Sequence, residues 1–435
     1  MLTALRYRDF RLLWSGLLVS FTGSFMQSAA LLWHVSLLVP ADRRAIALGA
    51  MGLVRVGPVI LFSLISGVAA DAFDRRKLML LTQCLMAIVA GILAALTFKG
   101  LTSPLPVYIL SACSAAAGAF DLPARQALVP TLVPREHLPN AISLNTIMFQ
   151  IASVTGPALG GLMIASTDVG WVYLSNAVSY TAVVVALLLM SPDRGRSAHS
   201  GNVGQRGGDL TVAAALEGLR FVFRAPLIRS TMLLDFFATF FSSATALLPI
   251  FAQDVLHVGA RGYGWLFAAP AAGALIASGI MVRAVDWIER RGVVLVNAVL
   301  LYGLATVAFG LSRMFWVTFV CLALTGAADT VSMVFRNLIR QLETPDRLRG
   351  RMTGVNMIFF MGGPQLGEVE AGLMAAWAGP VVSVVSGGIG CIAATLWVAG
   401  VTPGLRAYRR TPPVVDIDPT IPAGDDRQEG RTGEL

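Results

Sequence analysis

RYRDFRLLWSGLLVSFTGSFMQSAALLWHVSLLV, residues 6–39, opens with Arg6, Arg8, Asp9 and Arg11 and then runs from Leu12 to Val39 without an Asp, Glu, Lys or Arg. An α-helix needs about 20 apolar residues to cross some 30 Å of hydrocarbon, and the apolar core of a cleavable signal peptide is only roughly 7–15 residues long. The stretch therefore reads as a retained membrane helix. Further apolar runs follow at Ala45–Ala70, Leu78–Phe98, Leu105–Ala124, Ala141–Ser166 and Trp171–Met190, and again at Leu227–Phe251, Tyr263–Val282, Val293–Leu311, Phe315–Phe335, Met352–Trp377 and Val381–Val401. With 56% hydrophobic and 13% charged residues and a mean hydropathy of +0.71, the chain lacks the polar side chains to cover a water-facing surface. The expected fold is an all-α polytopic membrane protein of twelve spans.

An even number of spans puts both termini on one side, and the positive charges choose it. The outer loops would hold only Arg43, Arg44, Lys99, Arg261 and Arg313, and Arg55 lies inside a span; the rest of the 33 Lys and Arg fall on the termini side. The positive-inside bias makes that side cytoplasmic, so the expected location is the bacterial inner membrane. The net charge of +8 is then a consequence of topology and of contact with anionic lipid headgroups, and nucleic-acid binding is not required to explain it. Cys84, Cys113, Cys321 and Cys391 lie on four different spans, with neither a disulfide framework nor a zinc spacing. Neither Lys77 nor Lys99 precedes Ser or Thr, so no phosphate-binding P-loop is present and no ATP is expected. No cofactor or metal is expected.

The chain divides at a Gly-, Ser- and Arg-rich stretch. The expected organisation is a six-helix bundle over 1–190, a cytoplasmic linker over 191–226 and a second six-helix bundle over 227–401. A polar tail, expected to be disordered, follows over 402–435. Within the linker Val212, Leu216, Leu219 and Phe223 recur at helical spacing, which suggests a short helix on the membrane surface. The halves repeat in a register of 211 residues: Arg125 with Arg336, Pro134 with Pro345, Asn145 with Asn356, Gly156 with Gly367, and Gly161 with Gly372. Repeated six-helix halves are the architecture of secondary transporters that bind between the halves and rock around the site.

Between the second and third spans stands Gly67-x-x-x-Asp71-x-x-Asp74-Arg75-Arg76-Lys77, and the fifth span carries Gly156-Pro157-Ala158-Leu159-Gly160-Gly161. These residues resemble the signature loop and the antiporter motif of the major facilitator superfamily, in particular the subgroup around siderophore and drug exporters. The first departs from the general pattern at Asp74, where Gly is usual. The second departs upstream at Ala152 and Ser153. The resemblance implies a cytoplasmic gate at Gly67, Asp71, Asp74, Arg75 and Arg76, and close helix packing at Gly156, Pro157, Gly160 and Gly161.

Ionisable groups at bilayer depth are costly and mark pathways or paired sites. Here they are Arg55, Asp121, Arg125, Asp235, Asp329, Arg336, Glu368 and Glu370, with His34 near an outer helix end. Asp121 and Arg125, four apart, can pair on one helix face. Asp235 and Asp329 are expected roughly 12 and 9 Å in from the inner surface, where a wet carboxylate binds a cation or a proton, or simply stays hydrated. Phe25, Met26, Phe236, Phe240, Phe241 and Phe359 offer either an apolar wall for a bulky substrate or ordinary packing. Arg55 and Glu368 each lie nine residues below the outer surface, which predicts an ion pair closing the outer side, with Glu370 turned away. The reading is a monomeric, proton-coupled exporter of a small organic compound. A proton-linked importer and a non-transporting sensor or assembly protein of the same fold are the alternatives.

Overall fold

The computed structural model describes residues 3–191, 220–242, 244–345 and 348–410, with side chains for all of these except 63–65, 67–72, 244, 349–351, 353, 354 and 357–361. The Gly67–Asp71 side of the signature loop, Phe359, most of the linker helix and the tail beyond Arg410 therefore lie outside the described side chains.

The apolar runs are helices. They are α1 (Arg8–Leu38), α2 (Arg44–Ala72), α3 (Arg75–Phe98), α4 (Leu105–Leu132), α5 (Leu138–Ser166) and α6 (Val169–Leu189) in the first half. The second half holds α7 (Pro226–Phe241), α8 (Gly259–Ala284), α9 (Arg291–Leu311), α10 (Phe315–Glu343), α11 (Arg349–Ala378) and α12 (Pro380–Val401). Among the described residues, eleven segments are long and apolar enough to cross a membrane. The other long helix is α11, of 30 residues. Its outward faces and those of its neighbours present large apolar side chains, among them Leu81, Val282, Trp316 and Trp377, as a bilayer requires.

Several helices outrun the apolar stretches that announced them. α10 continues eight residues past Phe335 to Glu343, because backbone hydrogen bonding carries on through the polar turns that hold Arg336 and Arg340. The seventh span is the opposite case. Expected as one run from Leu227 to Phe251, it breaks after Phe241 and resumes as a 3-10 turn (Ala244–Leu247), a turn of α-helix (Leu248–Ile250) and a π-turn (Phe251–Val255). Pro249 sits in the first turn of the resumed α-segment, where its missing amide forfeits no helical hydrogen bond. The start of the expected tail, up to Arg410, is packed against the second half; the rest lies outside the described residues. Pro403–Ala407 is helical, and the segment is tied back by bonds from Gly292 N to Tyr408 O (3.1 Å) and from Arg410 N to Glu289 O (2.8 Å).

The packing repeats with the sequence. α1 packs on α5 and α6, α2 on α4, and α3 on α4 and α6; six helices on, α7 packs on α11 and α12, α8 on α10, and α9 on α10 and α12. The halves meet through α2 with α11 and α5 with α8, one pair being the other with the halves exchanged. Glycine makes both meetings possible at backbone distance. A Cβ on Gly161 would stand 2.5 Å from Gly264 Cα, and one on Gly372 would stand 2.7 Å from Gly49 Cα.

These four glycines lie toward the side away from the termini, called the far side below. The largest buried apolar cluster lies there too and draws on both halves, from Met26, Leu32 and Tyr173 to Phe251, Tyr263 and Phe309. On the termini side the buried clusters formed by the described residues each belong to one half. One, around Leu13, Leu128 and Leu187, belongs to the first half, and another, around Leu234, Phe335 and Val398, to the second. Among the described residues, buried apolar packing between the two bundles is thus concentrated at the far side.

Candidate functional site

Beneath the far-side seal lies a cavity of about 550 Å³ bounded by both halves. Ser24, Gln27 and Ser28 of α1, Arg55 and Val59 of α2, Ser111 and Ser114 of α4 and Tyr180 of α6 form one wall; Thr239 of α7, Asp329 of α10 and Gln365 of α11 form the other. The first wall is held by a polar ladder between α1 and α6. Ser24 Oγ donates to Tyr180 OH (3.1 Å), Asn176 Nδ2 donates to Gln27 Oε1 (2.8 Å), and His34 Nδ1 meets Tyr173 OH (3.1 Å). His34, expected near an outer helix end, is buried there and bonded rather than interfacial.

Opposite stands a network of four charges. Arg336 Nη2 lies 3.1 Å from Asp235 Oδ1 on α7 and 3.1 Å from Asp329 Oδ1 two turns back on α10, while Arg340 Nη1 is 3.8 Å from Asp235 Oδ2. Arg336, Arg340 and Asp235 are almost wholly buried, whereas the Asp329 side chain is 41% exposed and reaches the cavity. Arg336 is buried among these partners rather than extended to the headgroups. Two carboxylates and two guanidiniums neutralise each other, which is how charges persist at such depth.

Two expected ion pairs are not formed. Asp121 instead accepts from Thr82 Oγ1 (3.1 Å) and Gln83 Nε2 (2.9 Å) of α3, and Arg125 lies over the Phe21 ring, 4.5 Å from its centroid. Helical spacing permits an i, i+4 pair, but α3 offers Asp121 neutral donors and α1 offers Arg125 an aromatic face. Arg55 and Glu368 are likewise not joined within 4.0 Å, although the far side is closed; Arg55 Nη2 donates weakly to Ser28 O at 3.5 Å and faces the cavity. Glu368 is buried, and a Cβ on Gly52 would stand 3.1 Å from its Cβ; Oε2 has no hydrogen-bond partner, and Glu370 is half-buried. Equal depth was legible in the sequence, but rotation about the two helices decides contact.

The signature-loop residues with described side chains tie the first half together. Asp74 caps α3 by accepting from the amides of Arg76 (2.9 Å) and Lys77 (3.3 Å). Arg75 donates to Ala127 O (3.1 Å) and Arg76 to Leu188 O (3.2 Å). Gly156, Pro157, Gly160 and Gly161 are buried; a Cβ on Gly156 would stand 2.7 Å from Thr22 O and one on Gly160 would stand 3.2 Å from Met26 Cα. Met26 and Phe25 therefore serve α1–α5 packing, and Phe241, close against Gly387 and Gly390, serves α7–α12 packing. Phe236 stacks on Phe240 with ring centroids 5.5 Å apart. Asn145 and Asn356, another repeat pair, each keep a buried Oδ1 without a partner.

A family described as transmembrane secretion effector matches residues 1–407. The chain belongs to the major facilitator superfamily. Among curated relatives of this superfamily, the enterobactin exporter EntS of Escherichia coli O1:K1 is 29% identical over 392 residues, covering 88% of this chain and 86% of its own. The EntS of Shigella boydii serotype 18 gives the same identity and coverage. Among solved structures, a bacterial homologue of the lysosomal transporter Spinster, inward-facing and unoccupied, superposes with a TM-score of 0.68 at 17% identity over 93% of this chain and 99% of that one. A bacterial homologue of ferroportin, inward-facing, gives 0.65 at 18% identity over 92% and 99%. At these identities the likeness shows the fold alone. The protein is a multi-pass membrane transporter and not an enzyme.

The sequence did not single out Arg340, Ser28, Tyr180 or Gln365, nor the ion pair between Arg44 and Asp254 (3.3 Å) that crosses the halves at the far side. Arg340 was legible in principle, because it lies four residues beyond Arg336 on the same helix face. The neutral cavity residues carry no signal until the fold assembles them.

Proposed function

We propose that this superfamily member is a proton-coupled exporter of a small organic compound, seated in the bacterial inner membrane with both termini in the cytoplasm. The observation that carries this reading is the cavity itself, with Arg55 from one half and Asp329 from the other beneath a sealed far side. The charge bias of the loops assigns the termini side to the cytoplasm, which makes this arrangement the one that loads substrate from inside. EntS relatives export enterobactin, and that supports a siderophore or a similar polyfunctional amphiphile as cargo. The Gly156–Gly161 motif supports the antiport direction.

Asp329 is the carboxylate a proton reaches first. Its protonation withdraws one of the two carboxylates on Arg336 and leaves that arginine to Asp235, so a proton alters the wall of the cavity without leaving a buried charge alone. Arg55, with only one weak hydrogen bond, is available to an acidic or hydroxylated substrate group. Asp71, Arg75 and Arg76 serve closure of the cytoplasmic side in the opposite state, by the resemblance already described.

Everted vesicles energised with a proton gradient should accumulate enterobactin or a related siderophore, and an uncoupler should abolish accumulation. Arg55→Gln and Asp329→Asn should each lower the initial rate at least tenfold with unchanged membrane yield. Accumulation by right-side-out vesicles instead would make the protein an importer. Parent-like rates in both variants would remove these residues from the site.

A further inference from the structure

α8 carries an exposed apolar stripe, Ile276 and Ile280, toward its termini-side end, and Arg283 continues the same helix face. Past the end of the helix Trp287 stands 86% exposed in the turn that leads to α9, and Arg290, also exposed, follows it. An indole at the end of a lipid-facing stripe belongs at the level of the headgroups, where its apolar body and polar tip are both accommodated.

The fold brings a distant piece of chain to this turn. Ser230 Oγ of α7 donates to Thr402 Oγ1 (2.7 Å), Leu405 is wholly buried, and Tyr408 packs on the same apolar cluster. The residues between and beyond these anchors, Arg406, Arg409 and Arg410, are left exposed. The strap lies directly on the start of α9: a Cβ on Gly292 would stand 1.7 Å from Leu405 O, so only glycine admits it. Besides the two backbone bonds that tie it to Glu289 and Gly292, Arg410 Nη1 donates to Asp286 O. With buried Arg291, six arginines are gathered against three acids, Asp286, Glu289 and Glu343, the last beside Tyr408. Among the described residues, none of the five exposed arginines has a carboxylate within 4.0 Å. Sidedness alone requires a number of positive charges, not their collection from two separate segments around an exposed indole.

We propose that this patch, Trp287 with Arg283, Arg290, Arg406, Arg409 and Arg410, binds the phosphate headgroup of an anionic phospholipid at the termini-side membrane surface. The guanidiniums donate to the phosphate oxygens, the indole lies among the headgroups, and the acyl chains run along Ile280 and Ile276. A lipid held there grips both the α8–α9 turn and the strap that joins α7 to α9. The site goes beyond the export reading and does not depend on it.

The test titrates the purified full chain in detergent with phosphatidylglycerol, or with phosphatidylcholine of the same acyl chains, and counts bound lipid by native mass spectrometry. Phosphatidylglycerol should bind saturably, and phosphatidylcholine about tenfold more weakly or not at all. Arg406→Gln, Arg409→Gln and Arg410→Gln combined should raise the half-saturating phosphatidylglycerol concentration about tenfold or more. Removing as many charges from the first half, by Arg8→Gln, Arg11→Gln and Arg135→Gln, should change it by less than about twofold. Equal losses in the two triple variants would overturn the proposal, because the attraction would then be that of the whole basic surface. Inorganic phosphate that competes at the lipid's own concentration would assign the patch to a free anion and also overturn it. Lipid binding seen only when the chain is ended after Arg410 would give the patch instead to the acidic residues Asp416, Asp418, Asp425, Asp426 and Glu429 of the same chain. Should the tail variant fail to fold, Arg283→Gln with Arg290→Gln, outside the tail, decides by the same shift. The readout needs no transport, so a failed export assay would leave its outcome untouched.

Discussion

Among the described residues Arg336 is the largest side chain that is almost wholly buried, and its two carboxylate partners come from different helices. An ion pair of this kind contributes little net stability against an apolar replacement, yet removing one member is costly because its partner stays buried and charged. Arg336→Met should therefore destabilise the protein by about 3–5 kcal/mol, read as a fall in Tm or in resistance to denaturant. Adding Asp235→Asn to that variant should restore part of the loss, since it removes the orphaned carboxylate. A double variant no more stable than the single one would mean that Arg336 acts through packing. Asp329→Asn should cost much less than either, because its side chain is 41% exposed.

At the scale of helices, the far side is closed by backbone approach rather than by charge. Gly161 faces Gly264 on the α5–α8 pair, and Gly372 faces Gly49 on the α2–α11 pair. No side chain larger than hydrogen fits at these crossings without parting the helices. Gly161→Leu should consequently disfavour the far-side-closed state and expose the cavity to the far side. The measurement is labelling of Ser28→Cys by a membrane-impermeant maleimide applied from that side, expected to rise at least tenfold in the Gly161→Leu background. Equal labelling in both backgrounds would show that the crossing does not control closure.

Across the whole molecule the same comparison of magnitudes separates a seal from its ornaments. Arg44 and Asp254 join the halves at the far side, but their side chains are 22% and 49% exposed. Exposed pairs of this kind contribute only about 0.2–1 kcal/mol. Arg44→Ala should thus change far-side labelling of Ser28→Cys by less than about fivefold, well below the effect of Gly161→Leu. A larger change would promote the pair to a gate. Among the described residues, the shared apolar cluster lies on the far side, and the termini-side clusters each draw on one half.

The order and membrane character of the helices were legible because each is a local property: apolar length must match bilayer thickness. The repeat was legible for the same reason, and Gly161 and Gly372, noted only as matching letters, prove to be the two crossing points. Side-chain partnership was not local. Asp121 and Arg125 are four residues apart and do not pair, Arg55 and Glu368 share a depth and do not meet, and Arg336 finds Asp235 at a separation of 101 positions along the chain. Spacing fixes which face of its own helix a residue occupies. Only tertiary packing fixes how each helix is rotated against its neighbours, and that rotation decided which charges are paired, which oxygens line a pocket and which side of the protein is shut.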